Sequence, residues 1–174
     1  RNYEFSTGTF NLKIGDKVNN CFTSPNEDLN KYNDFFTYAP GGVVHITKDA
    51  TNGYVATADK VGTTTVTTDN DFLKYSVSAT FNVSRQDQPA TLSSSSPVTM
   101  NAWDQPAAPV VQGKPGDYTG TVSWTSSDET VAKVVNGKIV FGGTGYGKTA
   151  TLTANLSQDD KYNAAKLSFN VTVN

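Results

Sequence analysis

From Tyr75 to Ser84, apolar and polar residues alternate without a break. Tyr75, Val77, Ala79, Phe81 and Val83 hold the odd positions; Ser76, Ser78, Thr80, Asn82 and Ser84 hold the even ones. A period of two with one apolar face predicts a strand half-buried on a core. The pattern returns where Leu167, Phe169, Val171 and Val173 alternate with Ser168, Asn170 and Thr172. It appears again where Ala150, Leu152, Ala154 and Leu156 alternate with Thr149, Thr151, Thr153 and Asn155. Helix signals are confined to Ser24-Pro25-Asn26-Glu27, with an N-cap serine, proline at N1 and glutamate at N3. Leu29 and Tyr32 follow, so a short helical turn is expected there.

The alternating strands belong to a repeat. With Phe36 laid on Trp124, FTYAPGGVVHI falls over WTSSDETVAKV without a gap. Val43 meets Val131, Val44 meets Ala132 and Ile46 meets Val134. Asn52-Gly53 then falls near Asn136-Gly137, and Asn-Gly between apolar runs predicts a type I′ hairpin turn. Gly62 and Gly147 each precede a Thr-rich strand, and each copy closes with its long alternating strand. A tandem duplication is expected, with domains at 1–86 and 87–174 joined by the short polar stretch Ser84–Pro89. About 85 residues with about seven short strands and regular turns fit a β-sandwich, with a small barrel as the other architecture.

Composition agrees. Hydrophobic residues make up 36% of the 174 and charged residues 17%, against about 45–50% and about 25% in an average domain. Thr, Ser, Asn and Gly fill the difference, which suits half-buried sheets. Sixteen acids against fourteen bases, net −2, show none of the basic excess of a nucleic-acid protein. No apolar run approaches membrane-spanning length. The chain begins with Arg1 and shows no leader pattern, so a piece of a longer protein is expected.

Trp124, Ser126-Ser127-Asp128, Val131-Ala132-Lys133-Val134, Asn136-Gly137 and Gly147 together resemble the bacterial immunoglobulin-like domain, group 2. The closing DDKYNAAKLSFNVTV is similar to tandem arrays of bacterial surface proteins. The resemblance covers nearly all of the second repeat. The first departs from it, with Phe36 for the tryptophan and Ala-Pro-Gly-Gly for the acidic loop. It implies an all-β chain of two tandem immunoglobulin-like β-sandwich domains, an extracellular, cell-anchored location, and a role in adhesion or spacing.

Little catalytic chemistry is available. The single His45 sits between Val44 and Ile46 on the expected solvent face, without a second histidine as partner. The single Cys21 lies beside Phe22 and reads as a small buried hydrophobe. Gly142-Gly143-Thr144-Gly145-Tyr146-Gly147-Lys148-Thr149 satisfies the phosphate-loop pattern G-x-x-x-x-G-K-[ST]. That chemistry needs a helix after the loop. Thr149–Leu156 alternates as a strand instead, so a glycine-rich sandwich loop is expected. Asp69 with Asp71, and Asp159 with Asp160, are weak calcium candidates that lack EF-hand spacing. No nucleophile, base and orienter trio can be assembled, and no cofactor is expected.

Phe36, Phe81, Trp124, Val131, Val134 and Phe169 are the expected core. Trp103, in Asn101-Ala102-Trp103-Asp104-Gln105-Pro106, and the loop tyrosines Tyr118, Tyr146 and Tyr162 have two readings. They are sugar-stacking platforms with polar rims, or they pack in a core or between domains. Asn82, Asn155 and Asn170 stand in N-x-[ST] triplets. The expected function is a non-enzymatic, monomeric surface module that meets a protein or glycan of a host or neighbouring cell, without nucleic acid or membrane insertion. The alternatives are a carbohydrate-binding module and a calcium-stiffened adhesion rod. Edge strands of such sandwiches either pair with partners or are protected.

Overall fold

The computed structural model describes residues 3–22, 35–38, 42–70 and 75–174. The expected helical turn at Ser24–Glu27, and Asp71, lie outside the described residues, as do the side chains of Phe36 and Asp69. The chain divides into two compact units, Arg1–Gln86 and Asp87–Asn174, each a β-sandwich. No helix among the described residues is long and apolar enough to cross a membrane.

Unit 1 contains β1 (Tyr3–Lys13), β2 (Lys17–Val18), β3 (Phe35–Tyr38), β4 (Val44–Asp49), β5 (Gly53–Ala58), β6 (Gly62–Asn70) and β7 (Tyr75–Ser84). One sheet has the order β1-β7-β6-β3 and the other β2-β5-β4. Unit 2 contains β8 (Thr91–Leu92), β9 (Val98–Met100), β10 (Val111–Gln112), β11 (Val122–Ser126), β12 (Ala132–Val135), β13 (Lys138–Phe141), β14 (Thr149–Leu156) and β15 (Ala165–Val173). Its main sheet runs β9-β15-β14-β11, strand for strand the order of unit 1. The hairpin β12-β13 matches β4-β5, and the bridge Ala107↔Lys138 stands where β2 meets β5. In both sheets an early strand runs parallel to the last: β1 beside β7, and β9 beside β15.

Alternation becomes one-sided burial. In β7 Val77, Ala79, Phe81 and Val83 are buried, and in β14 Ala150, Leu152, Ala154 and Leu156. Phe10 stacks on Phe81 with ring centroids 5.5 Å apart. Val131 and Phe169 are buried in the core of unit 2, and Val134 packs partly buried against it. The opposite sheet faces carry uncharged ladders. Thr65 pairs with Thr80 at 2.9 Å, Thr151 with Asn170 at 2.8 Å, and Thr153 with Ser168 at 2.9 Å. Asn82 donates to Asn11 and accepts from Thr63, so the asparagines of the triplets act as ladder rungs.

One turn agrees with the sequence reading and three local details depart from it. Asn136 and Gly137 both have positive φ (48° and 77°), as a type I′ turn requires. In unit 1 Asp49 pairs with Gly53, so Ala50–Asn52 form a three-residue loop that closes on Gly53 in the left-handed region (φ 68°). The extra residues there lengthen β4 and β5. The sheet register also shifts the Phe36–Trp124 equivalence by two residues. Val66 pairs with Ala79 as Ala154 pairs with Leu167, yet Tyr38 lies opposite Val66 and Trp124 opposite Ala154. A slip of two keeps the same face. Trp124 itself is half-buried, edge-on to Phe169 at 5.9 Å. β11 is the end strand of its sheet, which leaves one flank of the indole open.

Candidate functional site

Unit 2 gathers the loop aromatics into two groups at opposite ends of the β14-β15 hairpin, roughly 25 Å apart at strand rise. The first is built on Phe141, the last residue of β13. Trp103 sits in the turn after β9, where Asp104 N–H donates to the Asn101 carbonyl at 3.1 Å. Buried Ala102 anchors that turn. The indole stands perpendicular to the Phe141 ring at 5.7 Å, and Tyr146 tilts over Phe141 at 4.7 Å. Phe141 is only 6% exposed beneath them, whereas Trp103 is 80% exposed and Tyr146 54%. Large apolar rings with this exposure are the informative exception in a packed domain. Asn101, Asp104 and Gln105 are exposed around the indole.

Tyr146 is carried by the glycine-rich loop, and the glycines have a packing role. The preceding turn is set by the serines and aspartate of the motif. Ser127 exchanges hydrogen bonds with the Thr151 backbone. Asp128 accepts from the Thr130 hydroxyl and from Thr130 N–H at 3.0 Å, and these two bonds, the hydroxyl's first, hold its carboxyl below the usual range. The loop lies directly against this turn. A Cβ on Gly142 would overlap the Glu129 carbonyl oxygen, and one on Gly145 would lie 2.6 Å from Val131 Cγ2. The loop N–H groups of Gly142, Gly145 and Gly147 donate to the carbonyls of Val131, Thr130 and Val173. The donors a phosphate would need are thus engaged by the chain, and the strand β14 follows.

The second group joins the loop before β11 to the loop before β15. Tyr118 and Tyr162 meet edge to face at 6.2 Å. Tyr118 lies over Gly120 and donates its hydroxyl to the Ser157 carbonyl at 2.6 Å. Tyr162 is 5% exposed and donates to Asp117 at 2.6 Å, while Lys161 bonds the other oxygen of that carboxylate at 2.6 Å. Asp159 accepts from the N–H groups of Lys161, Tyr162 and Thr119, and Asp160 is exposed. Both Asp159 oxygens are therefore already engaged, Oδ1 within its own loop and Oδ2 across to the loop before β11. Among the described residues no group of three or more His, Cys, Asp or Glu could hold a metal ion.

This polar clasp has an acid signature. Hydrogen bonds from Lys161 and then Tyr162 hold the Asp117 carboxyl below its ordinary range, and those from Thr119, Tyr162 and Lys161 do the same for Asp159. Their contribution to stability is complete above the unfolded carboxylate value of about 3.9. It is lost as pH falls through the lower folded values. Asp117→Asn is expected to flatten part of the fall in melting temperature below about pH 4. An unchanged acid limb would show the clasp to be inert. Lys161 and Tyr162 are both raised, chiefly by their bonds to Asp117, so their share is lost only at alkaline pH, above their ordinary values.

In unit 1, Cys21 is fully buried and burial pushes its thiol up to about 12. A protonated thiol is a poor nucleophile. His45 is exposed and lies 2.6 Å from Asp59 across its edge of the sheet. Sequence reasoning leaves out two partners that matter. Phe141 joins Trp103 to Tyr146, and Asp117 ties Tyr162 to Lys161. Their sequence neighbours carry no signal of either contact.

A scan against protein-family models finds no match, and neither does a search of curated proteins. Among solved structures, Drosophila N-cadherin EC1-4 is similar at 16% identity and TM-score 0.39, over 99% of this chain and 48% of that one. Human protocadherin-24 EC1-2 is similar at 12% and 0.38, over 95% of this chain and 93% of that one. A SusE-like surface-located polysaccharide-binding protein from the Bacteroides thetaiotaomicron heparin utilisation locus is similar at 12% and 0.34, over 99% and 34%. The chain thus spans about half the length of the N-cadherin fragment it matches.

Proposed function

We propose that this chain is a non-enzymatic bacterial cell-surface module whose two immunoglobulin-like sandwiches serve as a load-bearing spacer in a longer adhesive protein. One observation carries the reading: the parallel pairing of an early strand with the last strand in each unit. In a parallel pair the N-terminal and C-terminal exits lie at opposite ends. Tension on the chain therefore shears the ladder, loading its hydrogen bonds together instead of unzipping them one by one. Unit 1 has the longer clamp, from Tyr3↔Tyr75 to Lys13↔Ser84, against Val98↔Val171 to Met100↔Val173 in unit 2. Single-molecule stretching of the full chain between handles is expected to give two unfolding events, the stronger one from unit 1. Extension without force peaks would sink the spacer reading.

The Trp103–Tyr146 platform favours a second reading, a glycan-binding end on the same module. A pyranose face stacks on an exposed indole while neighbouring amides and carboxylates bond its hydroxyls. A glycan array probed with the full chain tests this. Binding is expected to fall by more than about tenfold in Trp103→Ala, the scale of losing about 1.4 kcal/mol. Because the ring is mostly exposed, the melting temperature should stay nearly unchanged. No binding by a folded sample would remove this reading and leave the spacer.

A further inference from the structure

The two units differ at one sheet edge. In unit 1, β1 pairs with β7 from Tyr3↔Tyr75 to Lys13↔Ser84, with Ser6 opposite Ser78, Thr9 opposite Thr80 and one bulge between them. In unit 2 the matching strand β15 is paired on that side only at Val171–Val173. The cause is local. After β8 the chain runs Ser93-Ser94-Ser95-Ser96-Pro97. Ser93 N–H donates to Val110, on the β10 side, and Pro97 has no N–H to offer β15. Pairing with β15 begins only at Val98.

The open stretch still has its ladder groups. Val173 N–H donates to Lys148 and its carbonyl accepts from Gly147, both on the β14 side, whereas Asn174 N–H donates to Met100. Strand alternation then turns the N–H and C=O of Lys166 and Ser168 away from β14. They have no backbone partner there among the described residues. A groove of about 290 Å³ runs beside them, lined by Thr91, Leu92, Ser95, Lys166, Leu167 and Ser168. The Lys166 ammonium, the one charge lining it, has no salt bridge or hydrogen bond among the described residues.

We propose that this edge accepts an extended peptide segment of another polypeptide as an added strand, parallel to β15, with an acidic side chain opposite Lys166. Three things support that occupant. The added strand would continue the existing β9-β15 ladder in register. β1 on β7 is the same sheet with that place filled. The charge of Lys166 selects an acid at the position Ser6 holds in β1. Backbone pairing would supply affinity and the groove and lysine the selectivity, as in β-strand addition generally.

The probe is a synthetic peptide of the β1 sequence Tyr3–Phe10 carrying Ser6→Asp, compared with the same peptide carrying Ser6→Lys. Amide hydrogen exchange of the full chain is followed residue by residue. With the acidic peptide at ten times its dissociation constant, the Lys166 and Ser168 amides are expected to exchange about tenfold more slowly. The lysine peptide should do this only at higher concentration, and Lys166→Glu, an exposed change, should reverse the preference. No slowing at these amides, or slowing indifferent to the charge swap, overturns the proposal. Slowing that grows with protein concentration and no peptide, with doubled mass, assigns the edge to a second copy and overturns it too.

Discussion

Gly142→Ala should lower the melting midpoint of unit 2 by roughly 12 °C or more. The alanine methyl would overlap the Glu129 carbonyl oxygen and crowd Thr130. Those are backbone atoms, so relief requires moving the Asp128–Val131 turn. That turn is tied down by Ser127 to Thr151 and by Asp128 to Thr130. Overpacking of this kind costs about 3 kcal/mol, and each kcal/mol shifts the midpoint of a domain this size by about 4–8 °C. Both tryptophans, Trp103 and Trp124, lie in unit 2, so tryptophan fluorescence reads its transition directly. Gly143→Ala is the control: a Cβ there meets nothing within 4 Å, though φ is 110°, so only backbone strain should appear. Equal midpoints for Gly142→Ala and wild type would mean that the loop does not pack on the turn.

Phe81→Ala should destabilise unit 1 by about 3–5 kcal/mol, the cost of deleting a buried aromatic and leaving a cavity. Phe81 is fully buried at the centre of β7, stacked on Phe10 and flanked by the β1 and β6 ladders. Its loss should therefore loosen both the core and the parallel clamp. Circular dichroism reports strands of both units, while the tryptophans report unit 2 alone. The mutant should accordingly lose β signal before its tryptophan transition. A single transition unmoved from wild type would contradict the placement of Phe81.

Strands whose alternation becomes one-sided burial are legible before any coordinates. Tyr75–Ser84 and Thr149–Leu156 have the expected bounds, because each has one face on a core and one in water. Val43 and Val131, aligned by repeat, are both buried. β1 is not legible in the same way. FSTGTFN carries little periodicity, and a parallel partner more than seventy residues away leaves no local mark. The three-residue turn at Ala50–Asn52 is hidden because Asn-Gly suits both kinds of hairpin. The candidate site is half legible. Trp103 stands out by its polar setting, but its gathering with Tyr146 on Phe141 joins two loops and a strand end. Tyr162 reads as a loop residue, yet it is buried, with its hydroxyl donating a hydrogen bond to Asp117. A buried tyrosine needs only that one partner.

The parallel clamp also sets the order of folding. β1 is made first and β7 last, so the ladder from Tyr3↔Tyr75 to Lys13↔Ser84 spans nearly all of unit 1 in sequence. Loop closure over that distance must precede any gain from the pairing, and topologies of this kind fold slowly. A chain emerging N-terminus first therefore carries β1 without its partner until Ser84 is free. Unit 1 can be threaded through a narrow passage as an extended chain and closes only when its last strand arrives.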